Sequence, residues 1–105
     1  MMKPNIGITE NNLQKSTTQL SMILADEMTL YVKTRKFHWN INGYNFMELH
    51  KLFQDQYSSL EETIDQVAER ISKLGCNTIG TMQEFLAKTR LKESPEDYPS
   101  QKDMI

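Results

Sequence analysis

Apolar side chains recur every three or four residues through the middle of this chain, and that spacing is its strongest organising signal. Between residues 43 and 75, Phe46, Leu49, Phe53, Leu60, Ile64, Val67, Ile71 and Leu74 share one side of a helical wheel. At about 100° per residue they fall within a wedge of roughly 80°, which predicts one long amphipathic helix. A second helix is predicted before it, from about Asn12 to His38, with Leu13, Leu20, Ile23, Leu24, Leu30, Tyr31 and Phe37 on a broader apolar face. Glu27 falls on that face too, where a carboxylate snorkelling from the edge of the stripe is the expected arrangement. Between the two, NINGYN at 40–45 has the polar, glycine-containing composition of a chain reversal, so the helices should form an antiparallel hairpin. Gly75 is placed to cap the second helix. Thr81 and Glu84 then have the spacing of a capping box opening a short helix to about Lys88. RLKESPEDYPS, with Pro95 and Pro99, reads as a loop, and Ser100 with Asp103 as the start of a further helix.

The candidate chemistry sits off the apolar stripe. His50, Asp65 and Glu69 centre roughly 120° from it, so they do not point into the helix's own core. His38 closes the preceding helix, and the reversal brings it beside His50, about two turns into the next. Two imidazoles and two carboxylates suit a first-row metal ion. At about 1.5 Å rise per residue, however, His50 and Asp65 are roughly 22 Å apart along one helix and cannot hold the same ion within one chain. A second copy has to bring the other half. An antiparallel partner, related by a two-fold axis near Ser58, would set His50 of one chain opposite Asp65 and Glu69 of the other, twice over. Small Ser58, Ala68 and Ser72 permit close approach on that side. Taken singly, each of the four is an ordinary polar residue. Yet Asp65 and Glu69, like charges four residues apart, repel by roughly 0.2–0.5 kcal/mol on an isolated helix. Arg70 and Lys73 can offset that repulsion, and a bound cation would remove more of it.

Three segments, KFHWNINGYNFMELHKLF (36–53), IDQVAERISKLG (64–75) and GTMQEFL (80–86), together resemble the Dps proteins, the mini-ferritins. The resemblance runs from about Leu20 onward without a gap. It implies an all-α, ferritin-like four-helix bundle subunit, of which this chain holds the first helical hairpin and a short connecting helix. It also implies assembly into a hollow dodecamer that binds ferrous iron between two-fold related subunits, oxidises it, preferably with hydrogen peroxide, and stores the ferric product. Carried over, His38 and His50 are iron ligands from one subunit, and Asp65 and Glu69 those of its partner. Trp39 matches a family tryptophan beside the iron, where an oxidisable ring intercepts radicals; packing is its plainer role. One position departs from the family: four residues after the second His, where a carboxylate is usual, this chain has Gln54, with Asp55 turned about 100° away. A neutral amide offers no charge to a second cation, so one firm iron position and one weak one are expected. Family subunits also continue through two more long helices, which makes this chain read as C-terminally truncated. The alternative function is therefore an inactive helical remnant that only associates with homologous subunits.

Length and composition fit a single domain over 1–105, with residues 1–11 as a flexible N-terminal arm: 105 residues, a quarter of them charged, net charge −2. The opening MMKPNIGITENNLQK lacks the apolar run of a signal peptide, and no stretch is long enough to span a membrane. With Cys76 alone, a cytoplasmic location is expected. The seven Met residues read as gap fillers or initiators. DNA binding needs mobile basic tails, and an arm with Lys3 and Lys15 around Glu10 argues against it.

Overall fold

The computed structural model describes residues 9–43, 45–93, 98–99 and 104, and among these the chain is helical with no strand. Helix α1 spans Glu10–Asn40, α2 Phe46–Lys73 and α3 Met82–Lys88. The two long helices thus form where the apolar periodicity places them, with ends shifted by two or three residues. Thr9 starts α1 by accepting the Asn12 N–H at 3.3 Å, so Glu10 and Asn11, expected in the N-terminal arm, are helical. The rest of that arm, the Ser100–Asp103 helix start and Pro95 lie outside the described residues.

Gly43 makes the reversal at φ 109°, and Gly75 follows α2 at φ 82°, a left-handed backbone that side chains with a Cβ resist. The capping box of α3 forms as its spacing predicts. Thr81 Oγ1 accepts the Glu84 N–H at 3.1 Å, and Glu84 Oε1 accepts the Thr81 N–H at 3.0 Å.

Leu24, Ala25, Ile64, Ile71 and Phe85 make the main core, in which all three helices meet, with Leu20, Met28, Tyr31, Leu60 and Val67 packed against it. Ile41, Phe53 and Met104 close the reversal end, beside Phe37 and Leu49. The α2 stripe buries as its pattern predicts, except that Phe46 is 38% exposed. The face of α1 requires a correction: Ile23 and Leu30 are 39% and 44% exposed, while Ser21, Ala25, Thr29 and Thr34 are buried. Small side chains let α2 approach closely. Two of the hydroxyls satisfy themselves locally, Thr29 Oγ1 donating to the Ala25 carbonyl at 2.9 Å and Thr34 Oγ1 to that of Leu30 at 2.8 Å.

A carboxylate fastens α3 to α1. Asp26 Oδ1 accepts from Thr89 Oγ1 (2.8 Å) and the Arg90 N–H (2.7 Å), and Oδ2 from Arg90 Nε (2.8 Å) and Nη2 (2.6 Å). The Arg90 backbone N–H, and then its guanidinium and the Thr89 hydroxyl, hold the Asp26 carboxyl below its ordinary range despite the opposing cost of burial. Cys76, just past α2, is likewise tied to α1, its Sγ accepting from Thr17 Oγ1 at 3.1 Å.

Candidate metal centre

Where α1 ends and α2 begins, the reversal sets His38 and His50 face to face, ring centroids 3.6 Å apart and planes inclined by 23°. Each ring is held by the other's backbone. His38 Nδ1 lies 2.7 Å from the His50 carbonyl oxygen, and His50 Nδ1 lies 3.0 Å from that of His38. A carbonyl oxygen only accepts, so both Nδ1 atoms carry hydrogen and donate. In the neutral rings, each Nε2 is left with its lone pair, the tautomer that a metal ion requires. Sequence alone does not identify these partners, because a backbone carbonyl has no residue-type signature.

The pair is braced on both sides. Phe46 stacks on His50 with centroids 5.0 Å apart, and Tyr57 meets His38 edge-on at 5.3 Å. His38 is buried and His50 half-buried. Asp65 and Glu69 are both exposed on α2, fifteen and nineteen residues beyond His50 on one uninterrupted helix. Among the described residues no three His, Cys, Asp or Glu side chains converge within one chain. The structure therefore brings the two imidazoles together and leaves the two carboxylates apart from them. Asp65 borders a shallow groove of about 580 Å³ between α1 and α2, which Ser58, Glu61, Glu62 and Tyr31 also line. Gln54 is exposed, and so is Trp39, at 65%.

Tyr57, which meets His38, leads on to three more residues that sequence did not single out for the site: Arg35, Tyr31 and Glu61. The Arg35 guanidinium carbon lies 4.1 Å from the Tyr57 ring centroid, 5.3 Å from that of Tyr31 and 5.8 Å from that of Trp39. Arg35 Nε donates to Tyr31 Oη at 2.8 Å, and Tyr31 Oη donates to Glu61 Oε1 at 3.0 Å. The Tyr31 hydrogen bond, ahead of the smaller effects of the neighbouring rings and Glu61, raises the Arg35 pKa further above its already high ordinary value. Their spacing was the available signal. Tyr31, Arg35 and His38 follow steps of four and three along α1, and His50, Tyr57 and Glu61 follow steps of seven and four along α2. Glu27 also differs from expectation. Its Oε2 is buried with no hydrogen-bond partner among the described residues rather than snorkelling outward, and burial raises its pKa.

A ferritin-like domain family profile matches residues 17–105. An uncharacterised low temperature-induced protein of Nostoc sp. is 42% identical over 105 residues, which are all of this chain and 59% of that protein. The DNA protection during starvation protein of Helicobacter pylori is 34% identical over 86 residues, 82% of this chain and 60% of its own. Among solved structures, a Dps protein of Vibrio cholerae, described as a member of the ferritin-like diiron-carboxylate superfamily, superposes with a TM-score of 0.89 at 32% identity, covering 99% of this chain and 65% of that one. The chain thus spans roughly three fifths of the length of these relatives.

Proposed function

Because this chain belongs to the ferritin-like domain family, with Dps proteins among its homologues, we propose that it binds ferrous iron at a site shared by two copies. There it oxidises the iron with hydrogen peroxide and helps to store the ferric product, protecting the cell from oxidative damage. Iron is the substrate in this reading. His38 and His50 of one copy present Nε2, and Asp65 and Glu69 of the other present carboxylate oxygens, a mixed nitrogen and oxygen set that suits both oxidation states. With so few protein ligands, positions remain for the oxidant. The carboxylates favour the higher charge left after oxidation, and Gln54 weakens any second iron position nearby.

The reciprocal pair of imidazole-to-carbonyl hydrogen bonds supports this reading best. A structural histidine pair would be served by any orientation that satisfies its polar atoms. This one spends Nδ1 of each ring on backbone and leaves both Nε2 atoms available. The minimal unit is a homodimer, with the family's dodecamer as the storage form. Cytoplasmic location and the absence of DNA binding belong to the same proposal. No helix among the described residues is long and apolar enough to cross a membrane.

Anaerobic titration with ferrous iron, followed by peroxide addition, tests the reading. His50→Ala or Glu69→Ala should each slow peroxide-dependent oxidation by more than the roughly 10–100-fold that loss of a ligand's outer hydrogen-bond partner costs a metal site. Oxidation at an unchanged rate in both variants would remove the assignment. One observation favours the second reading, a remnant that only associates with homologous subunits: Ile23, Leu30, Val32 and Leu52 are 37–44% exposed, apolar surface that a partner would cover. That reading expects no oxidation by the purified chain alone.

A further inference from the structure

On the flank of the hairpin away from Asp65, two rows of side chains face outward. Ile23, Glu27 and Leu30 follow steps of four and three along α1, and Leu60, Val67 and Arg70 follow steps of seven and three along α2, the spacing of a helix-to-helix seam. Ile23 and Leu30 are exposed, and Leu60 and Val67 half-buried. Two grooves run along these rows, one of about 520 Å³ beside Leu30 and Leu60 and one of about 310 Å³ beside Ile23 and Arg70. Leu60 and Arg70 lie about 140° around α2 from Asp65, so this surface is separate from the one that carries the carboxylates of the proposed iron site.

Each row carries one charge, and the two charges are opposite and unpaired. Glu27 Oε2 is buried with no hydrogen-bond partner, and the Arg70 guanidinium has no partner either, among the described residues. Water serves an exposed arginine, but a buried carboxylate oxygen requires a donor. Within one chain the two groups do not meet. His38 beside His50 and Tyr31 beside Glu61 fix the register of the helices, and that register sets Arg70 about seven residues, roughly 10 Å, from Glu27 along the hairpin.

A two-fold axis across the helices, midway between the charges at about the level of Leu24 and Val67, removes that offset. It brings Glu27 of each copy level with Arg70 of the other. Because α1 spans Glu10–Asn40, an axis there also lets the two copies of α1 overlap along almost their whole length. Each helix then has antiparallel neighbours only, which suits the helix dipoles.

We propose that this face is an interface for a second copy of the chain: two hairpins close into a four-helix bundle, with Glu27 of each paired to Arg70 of the other. The apolar members of both rows supply the buried surface. The charges fix the register, because any slip leaves both of them buried and unpaired. In a chain diluted to a monomer, Glu27 stays without a partner. The interface needs no iron and uses none of the four candidate ligands, so it stands or falls separately from the proposed function.

Native mass spectrometry and sedimentation equilibrium of the full chain, without iron, test it. The unmodified chain should populate dimers. Glu27→Arg leaves two cations on the face and Arg70→Glu two anions, so each variant alone should pair roughly a hundredfold more weakly, like charges being strongly unfavourable across an interface. Refolded together, the two variants have complementary faces and should form a mixed dimer, resolved by its mass, in large excess over either homodimer. Assembly through the Asp65 flank would respond to neither substitution and would give mixed dimers and homodimers alike. The mixture decides the matter even where a variant fails to fold alone. An unmodified chain that stays monomeric up to its solubility limit, variants that self-associate as well as it does, or a mixture without an excess of mixed dimer would each overturn the interface.

Discussion

A buried carboxylate oxygen without a hydrogen-bond partner carries a cost that depends on pH, and among the described residues Glu27 has one. Burial raises its pKa in the folded chain above the unfolded value. The charged form is thus the disfavoured one, so Glu27 costs nothing below the ordinary glutamate range and becomes destabilising as pH rises through its raised value. In the chain diluted to a monomer, Glu27→Gln should therefore raise the melting temperature at neutral pH and change it much less near pH 4, as read by circular dichroism. A lower melting temperature at neutral pH would mean that the charge is satisfied by a neighbour in an assembly. Individual residues show where sequence reading stops. His38, His50, Asp65 and Glu69 could be picked out as candidates because two imidazoles and two carboxylates suit a metal ion and the reversal sets the two imidazoles together. The two carbonyl oxygens that orient the imidazoles, and the orphaned oxygen of Glu27, depend on the path of the backbone and could not.

Helix α3 is short, and its attachment rests heavily on one side chain of another helix. The four bonds that Asp26 accepts from Thr89 and Arg90 stand beside the burial of Phe85. Since these contacts lower the Asp26 pKa, their contribution is present above the unfolded value and is lost as pH falls through the folded one. Asp26→Asn, which keeps the shape and removes the charge, should speed amide hydrogen exchange across α3 at neutral pH while leaving the middle of α1 and α2 slow. Equal exchange in both chains would show that Phe85 holds α3 alone. Among the elements, α2 and α3 could be read almost completely, because a narrow apolar stripe and a capping box are local signals. The packing face of α1 could not. It buries Ser21, Thr29 and Thr34, small side chains that polarity assigns to the surface, beside Leu24 and Ala25.

The molecule is 56 Å long and only 23 by 18 Å across, a hairpin whose candidate ligands lie on one flank and at one end. One chain presents the imidazoles and, about four to five turns further along α2, the carboxylates, and only an antiparallel neighbour returns one to the other. Under the proposed function, the same arrangement makes assembly a condition of iron binding. Mixing two complementary variants tests this most directly: His38→Ala with His50→Ala in one chain, and Asp65→Ala with Glu69→Ala in the other, each titrated anaerobically with ferrous iron alone and after refolding together. Neither variant should bind tightly by itself. Random pairing into two-fold dimers should restore roughly a quarter of the original sites, since half of the dimers are mixed and each mixed dimer holds one intact site of two. A mixture that binds no more iron than the separate variants would contradict a site shared between two chains.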